Sequence, residues 1–97
     1  MSVAYVVVDI EITNMDEFKK YMADAPATVQ AAGGEYLVRG GKLEALEGEW
    51  VPQRMTVVRF PSVEAAKAWH SGEMYRQARA KRAGATHHFN AVVVEGV

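Results

Sequence analysis

Gly33–Arg54, GGEYLVRGGKLEALEGEWVPQR, is the stretch from which the rest of the chain can be placed. It opens with a glycine pair, runs through the apolar segment Glu35–Arg39 and meets a second pair at Gly40–Gly41. A long connection then carries Leu43, Leu46, Glu47, Gly48, Trp50 and Pro52 to Arg54. Connections above about 12–15 residues are uncommon in compact domains and are either functional or disordered. Leu43, Leu46 and Trp50 make this one too apolar for a solvated tether. Its ordering costs chain entropy, so packing or a ligand is expected to offset that cost. Gly48 and Pro52 on either side of Trp50 point to a fixed path. Trp50 is therefore expected to be mostly buried, as a pocket wall or across a dimer interface.

Downstream, Arg54–Phe60 is a β-branched run that reads as a strand, stopped by Pro61. Ser62 caps a helix whose stripe is Val63, Ala66 and Trp69 with His70. Ser71-Gly72 breaks it. A second helical segment runs from Glu73 to about Arg82, with Tyr75, Ala78 and Arg82 recurring at helical steps, and Gly84 ends it. His87–Glu95 is the last strand. Upstream, Asn14 caps a helix and Glu17 completes a capping-box pattern. Phe18, Tyr21, Met22, Ala25 and Val29 repeat at helical spacing, and Pro26 predicts a kink or break. One glycine of Gly33-Gly34 is expected in the left-handed conformation that ends a helix. Val3–Ile12 is the first strand, with Val6, Val8, Ile10 and Ile12 on one face and Tyr5, Val7, Asp9 and Glu11 on the other.

The order is β-α-β-β-α-β, an α+β, ferredoxin-like unit with a four-stranded antiparallel sheet, in a single domain over residues 1–97. Right-handed crossovers put the first and third strands at the centre and both helices on one face. The other face carries Tyr5, Val7 and half of every other strand, too apolar to be left wet. Two such sheets face to face would bury it, so a homodimer, a dimeric α+β barrel, is expected.

Composition narrows the function classes. Apolar residues make up 49% of the 97 residues, enough for one core, and a domain this small gains from association. A net charge of -1 and scattered cations argue against nucleic acid. Arg76, Arg79, Lys81 and Arg82 read as cations near a helix C-terminus. With no cysteine there is no disulfide, thiol nucleophile or thiolate metal site. The apolar run near the N-terminus lacks a basic leader and is interrupted by Asp9 and Glu11, so neither a signal peptide nor a membrane span is expected, and the cytoplasm is the expected compartment.

Arg39 and Arg54 border the long loop, and pairing of the second and third strands brings them together. Two guanidiniums there would clamp a carboxylate or phosphate, unless each forms an ion pair with Glu47 or Glu44. Glu47 could also orient an arginine that touches ligand. Tyr5, Tyr36 and Tyr75 offer phenols for a ligand, or simply pack. His70 with Glu73 could form a base and its orienter, against the simpler reading of a histidine at a helix end. His87 and His88 are adjacent on a strand, face opposite ways and cannot share a metal. No metal motif, phosphate loop or GxSxG is present, and neither metal nor cofactor is expected.

The joint pattern GGEYLVRGG, LEGEW with Pro52 and Arg54, then FPSVEAAKAW with Ser71 and Tyr75 resembles the bacterial domain-of-unknown-function family thirteen-thirty over nearly the whole chain. The resemblance implies a dimeric α+β barrel, a superfamily that includes small monooxygenases, isomerases and chlorite- or haem-processing relatives. It implies a pocket without assigning chemistry. His70 stands where many members carry an aromatic, and Gly72 where proline is common.

The expected protein is a homodimer with one cavity per subunit between the mixed sheet face and the long loop. It would bind a small anionic or oxygen-rich organic molecule. Arg39 and Arg54 would bind it, Trp50, Tyr36 and Tyr5 would surround it, and Glu47 would orient. Catalysis, by cofactor-free proton transfer or oxygenation, would fall to His70, Tyr75 or Glu47. The alternative is a ligand carrier or an accessory module that docks through the loop, which would leave Trp50 and the loop leucines exposed.

Overall fold

The computed structural model describes residues 2–97. The elements are β1 (Ala4–Ile12), α1 (Met15–Ala31), β2 (Glu35–Arg39), β3 (Arg54–Phe60), α2 (Val63–Ser71), α3 (Glu73–Ala80) and β4 (Thr86–Glu95). The strands form one antiparallel sheet in the order β2-β3-β1-β4, with β3 and β1 central as the crossover rule requires.

Local chemistry sets the helix ends. The Asn14 side chain accepts the Glu17 N–H at 3.1 Å, and the Ser62 hydroxyl accepts the Ala65 N–H at 3.0 Å. Glu17 turns its carboxylate to Lys20 instead of closing the capping box. Gly33 leaves α1 at φ 79, and the Gly34 N–H closes on the Val29 carbonyl at 2.9 Å.

Pro26 does not break α1, which is assigned without interruption through it. Proline has no N–H, so the Met22 carbonyl four residues earlier loses its helical donor. The Arg39 guanidinium supplies the replacement, donating to the Met22 oxygen at 2.7 Å. The helix thus keeps its course with the missing bond filled from β2.

The core lies between the helices and one sheet face. Val6, Val8 and Ile10 of β1 with Val58 and Phe60 of β3 meet Phe18, Tyr21, Ala25 and Val29 of α1. Ala66 and Trp69 of α2 and Tyr75 and Ala78 of α3 complete it. Trp69 packs 4.2 Å from Tyr75 and 5.1 Å from Phe60, centroid to centroid. Its indole donates at 3.0 Å to the buried Thr28 hydroxyl, which donates in turn to the Ala25 carbonyl at 2.7 Å. No helix among the described residues is long and apolar enough to cross a membrane.

One irregularity matters for the site. β2 pairs Tyr36 with Val58 and Arg39 with Thr56, and the register shifts between Tyr36 and Val38. The extra residue restores the parity that a three-residue spacing would break, so Tyr36 and Arg39 share the helix-covered face.

Trp69→Ala should cost about 3–5 kcal/mol in urea unfolding, through lost packing and a stranded Thr28 hydroxyl. A loss below about 1 kcal/mol would show that the α2–α3 corner is not part of the cooperative core.

Candidate functional site

A cavity of about 30 Å³ lies between α1, the α2–α3 corner and the sheet. Its walls are mostly apolar: Val8 and Ile10 below, Phe18, Ala25 and Val29 above, and Phe89 and Trp69 at the side. Its polar groups are Tyr36 and Arg39 from β2, Arg54 and Thr56 from β3, Tyr21 from α1, and His70 and Tyr75 from the corner.

The two arginines converge as the strand pairing demands. Arg39 lies opposite Thr56 and Arg54 opposite Ile10, so both side chains stand on the helix-covered face near the end of the β2–β3 ladder. The Arg39 guanidinium sits 5.0 Å from the Tyr36 ring centroid, and that of Arg54 sits 5.9 Å from Phe18. Arg54 also lies flat against Gly40. A Cβ at Gly40 would stand 2.4 Å from the Arg54 Cζ, and its φ of 71 is in any case a glycine conformation. The second glycine pair therefore does more than turn the chain: Gly40 makes room for a guanidinium.

Neither arginine has an acidic partner. Among the described residues no carboxylate lies within ion-pair distance of Arg39 or Arg54, and the Arg54 Nε is buried without an acceptor. The expected ion pairs with Glu47 or Glu44, and the orienting role for Glu47, are corrected here. Both glutamates are exposed in the loop.

The cavity is also on the other side of the sheet from the one expected. Within the single chain Trp50 is 62% exposed, so it is not a wall of this cavity, and it lies over the helix-free face, its indole donating to Asp9 at 3.4 Å. Tyr5 belongs to that face too, opposite Arg59 and Val94. Neither lines the cavity. The Asp9 carboxylate also pairs with His88 at 3.2 Å. Side-chain alternation explains the shift: odd positions of β1 face away from the helices, and a loop crossing that edge meets Asp9 first.

One residue of the cavity wall and two beside it escaped the sequence reading or were given other roles. Tyr21, a core position by its helical spacing, hydrogen-bonds the Tyr75 hydroxyl at 2.8 Å within the cavity wall. Arg82 lays its guanidinium 3.5 Å from the Phe89 ring centroid and 5.2 Å from Tyr21, so it is not a solvated helix-end cation. Pro26, read as a helix breaker, frees the carbonyl that holds Arg39. Only that last link had a signal, a proline four residues after Met22.

His70 does not couple to Glu73, which reaches Gln77 and Arg76 instead. Its ring lies 5.6 Å from Tyr75 and its Nε2 is 3.3 Å from the Arg79 guanidinium. Since arginine only donates, that contact makes Nε2 an acceptor. Partial burial first, then the charges of Arg79 and Arg82, hold His70 below the usual histidine range, so it is neutral at pH 7. Burial pushes the Tyr36 hydroxyl up, against the opposing pull of Arg39, and pushes Tyr21 up strongly, with Tyr75 adding to it. Both phenols are donors and not phenolates. Among the described residues no group of three or more histidines and carboxylates could hold a metal ion.

The Arg39–Met22 bond lends itself to a double-mutant cycle. Arg39→Ala should destabilise the protein by about 1 kcal/mol, since it strands a helix carbonyl. In a Pro26→Ala background, where the substituted residue regains a backbone N–H to donate to the Met22 carbonyl, the same Arg39→Ala change should cost measurably less. Equal costs in the two backgrounds would mean that the bond contributes nothing to α1.

Comparison with known proteins places the chain by fold and by family. No curated protein matches the chain. Among solved structures, a Rhodopseudomonas palustris protein of unknown function superposes with a TM-score of 0.80 at 15% identity, over 99% of this chain and 83% of its own. A dimeric ferredoxin-like protein of unknown function from Jannaschia sp. CCS1 gives 0.73 at 17%, over 97% and 99%. A candidate antibiotic biosynthesis monooxygenase from Caulobacter crescentus CB15 gives 0.67 at 18%, over 99% and 91%. At such identities the likeness is one of fold. The sequence itself matches a family from residue 3 to residue 97, and the chain belongs to that family, Domain of unknown function (DUF1330).

Proposed function

We propose that the protein binds a small organic anion in the cavity between α1 and the sheet, and does so as one protomer of a homodimer. The observation that carries the first part is the pair of guanidiniums at one apolar cavity with no carboxylate on either. Like charges brought together beside an apolar space repel, and a buried donor without an acceptor costs free energy. A carboxylate or phosphate relieves both, and guanidinium suits either through its planar fork. Arg39 commits one N–H to Met22 and keeps its other donors free for a ligand.

The closed cavity is small. One water needs roughly 10–15 Å³ of such space, so about 30 Å³ holds about two. An organic anion enters by displacing the rim, where Met22 is flexible and Arg39 is held by a single hydrogen bond. Turnover without a cofactor would need a base. Of the residues around the cavity, His70 is the one with a basic nitrogen lone pair, which it would have to release from Arg79 to accept a proton.

The second part rests on the helix-free face. Val38, Val92 and Val94 are exposed there, with Val7 and Val57 between them, and Trp50 and Val51 extend the patch along the loop. A second copy would cover this surface, as expected of an apolar face on so small a domain. The Jannaschia protein of the same fold is described as dimeric. A docking module for another protein is the second reading, favoured by Leu46, which is 98% exposed at the loop tip.

Light scattering behind gel filtration should return twice the chain mass, and Val7→Asp should shift the protein towards monomer by burying an unpaired charge. A wild-type monomer at micromolar concentration would remove the dimer and favour the docking module. A millimolar panel of small carboxylates and phosphates should contain at least one that raises the melting temperature, because a ligand of the folded state must. Arg54→Lys should weaken that shift while the circular dichroism stays unchanged. An unfolded Arg54→Lys variant would show the arginine to be structural.

A further inference from the structure

The Tyr21 and Tyr75 hydroxyls form a pair that the anion site alone leaves unused. Their oxygens are 2.8 Å apart, their rings meet edge to face at 6.1 Å, and both residues are buried in the wall of the cavity. Two hydroxyls carry two protons, and the bond between them uses one. Among the described residues neither oxygen has another protein hydrogen-bond partner. Whichever hydroxyl donates within the pair, the second proton remains to be given away. An unmet buried donor is costly, so the pair is complete only with an acceptor from the cavity.

A water can supply that acceptor in the free protein, since the cavity has room for one. A ligand oxygen can displace it. The Tyr21 hydroxyl stays protonated, because burial pushes it upward and outweighs the opposing charge of Arg82. Tyr36 lies beside Arg39, whose guanidinium is 5.0 Å from its ring centroid. The wall of one cavity therefore carries both cationic forks and a neutral hydrogen-bond donor.

Resting on the anion-site reading, we propose that the ligand is a carboxylic acid with a second oxygen, a keto or hydroxy acid. Its carboxylate meets Arg39 and Arg54, and its carbonyl or hydroxyl oxygen accepts a hydrogen bond from the Tyr21–Tyr75 pair. Such an acid accepts the pair's spare proton, whereas an acid lacking the second oxygen leaves that donor to a trapped water or to none.

The test is a calorimetric comparison of matched acids on the full chain: benzoate against its meta- and para-hydroxy derivatives, and pentanoate against its alpha- and gamma-oxo derivatives. At least one oxygen-bearing acid should bind up to about tenfold tighter than its parent, the value of one hydrogen bond. Tyr21→Phe/Tyr75→Phe should reduce that ratio to within about twofold. Replacing both partners by rings of the same shape is nearly neutral for folding. Tyr75→Phe alone should keep the preference, since the Tyr21 proton is then free to donate to the ligand. Parent acids that bind as well as their derivatives, or a preference that survives in the double variant, would overturn the inference and leave the anion site standing. If no acid of either series binds, this inference falls, and the anion site stands or falls on the wider carboxylate and phosphate panel. If the double variant does not fold, the wild-type comparison decides.

Discussion

The Met22 carbonyl, left without its helical donor by Pro26, is the point at which α1 and the sheet edge are tied together. Arg39 reaches it from the end of β2, and the bond is charge-assisted at 2.7 Å. Without that bond a helix with an internal proline would expose an unpaired carbonyl beside the core. With it, the helix runs unbroken over Phe18, Tyr21, Ala25 and Val29. The cation that completes the helix is also one of the two that face the cavity.

This arrangement depends on the irregular pairing of β2 with β3. Residues three apart on a regular strand face opposite ways, which would send Tyr36 and Arg39 to different sides of the sheet. The register shift before Val38 puts both on the helix-covered side, where Tyr36 stacks under Arg39. Arg54 reaches the same place from the first position of β3, and Gly40 leaves the gap its guanidinium fills. Three backbone devices (a proline in a helix, an extra residue in a strand and a left-handed glycine) therefore bring two cations to one apolar space.

Much of the fold was legible because local signals agreed. Asn14, Ser62 and Gly33 act as the expected caps and stop, β2 and β3 run between the expected residues, and the stripe from Phe18 to Val29 faces the core. The convergence of Arg39 and Arg54 followed from strand pairing. Their side of the sheet did not, since a register shift leaves no trace in composition or periodicity. Trp50 had two readings, a pocket wall or a dimer-interface residue, and nothing in one sequence distinguishes them; the single chain removes only the first, since it leaves the indole on the open sheet face. The Tyr21–Tyr75 pair was out of reach, because its members are 54 positions apart and each reads as an ordinary core aromatic.

The two faces of the sheet are joined by a short length of chain. Trp50 touches Asp9 on the helix-free face, the Gln53 side chain accepts the Ile12 N–H at 2.7 Å, and Arg54 follows at once on the cavity side. β1 lies across both, its even residues lining the core and its odd residues facing away. The path of the long loop thus ties the open face of the sheet to the guanidinium beside the cavity.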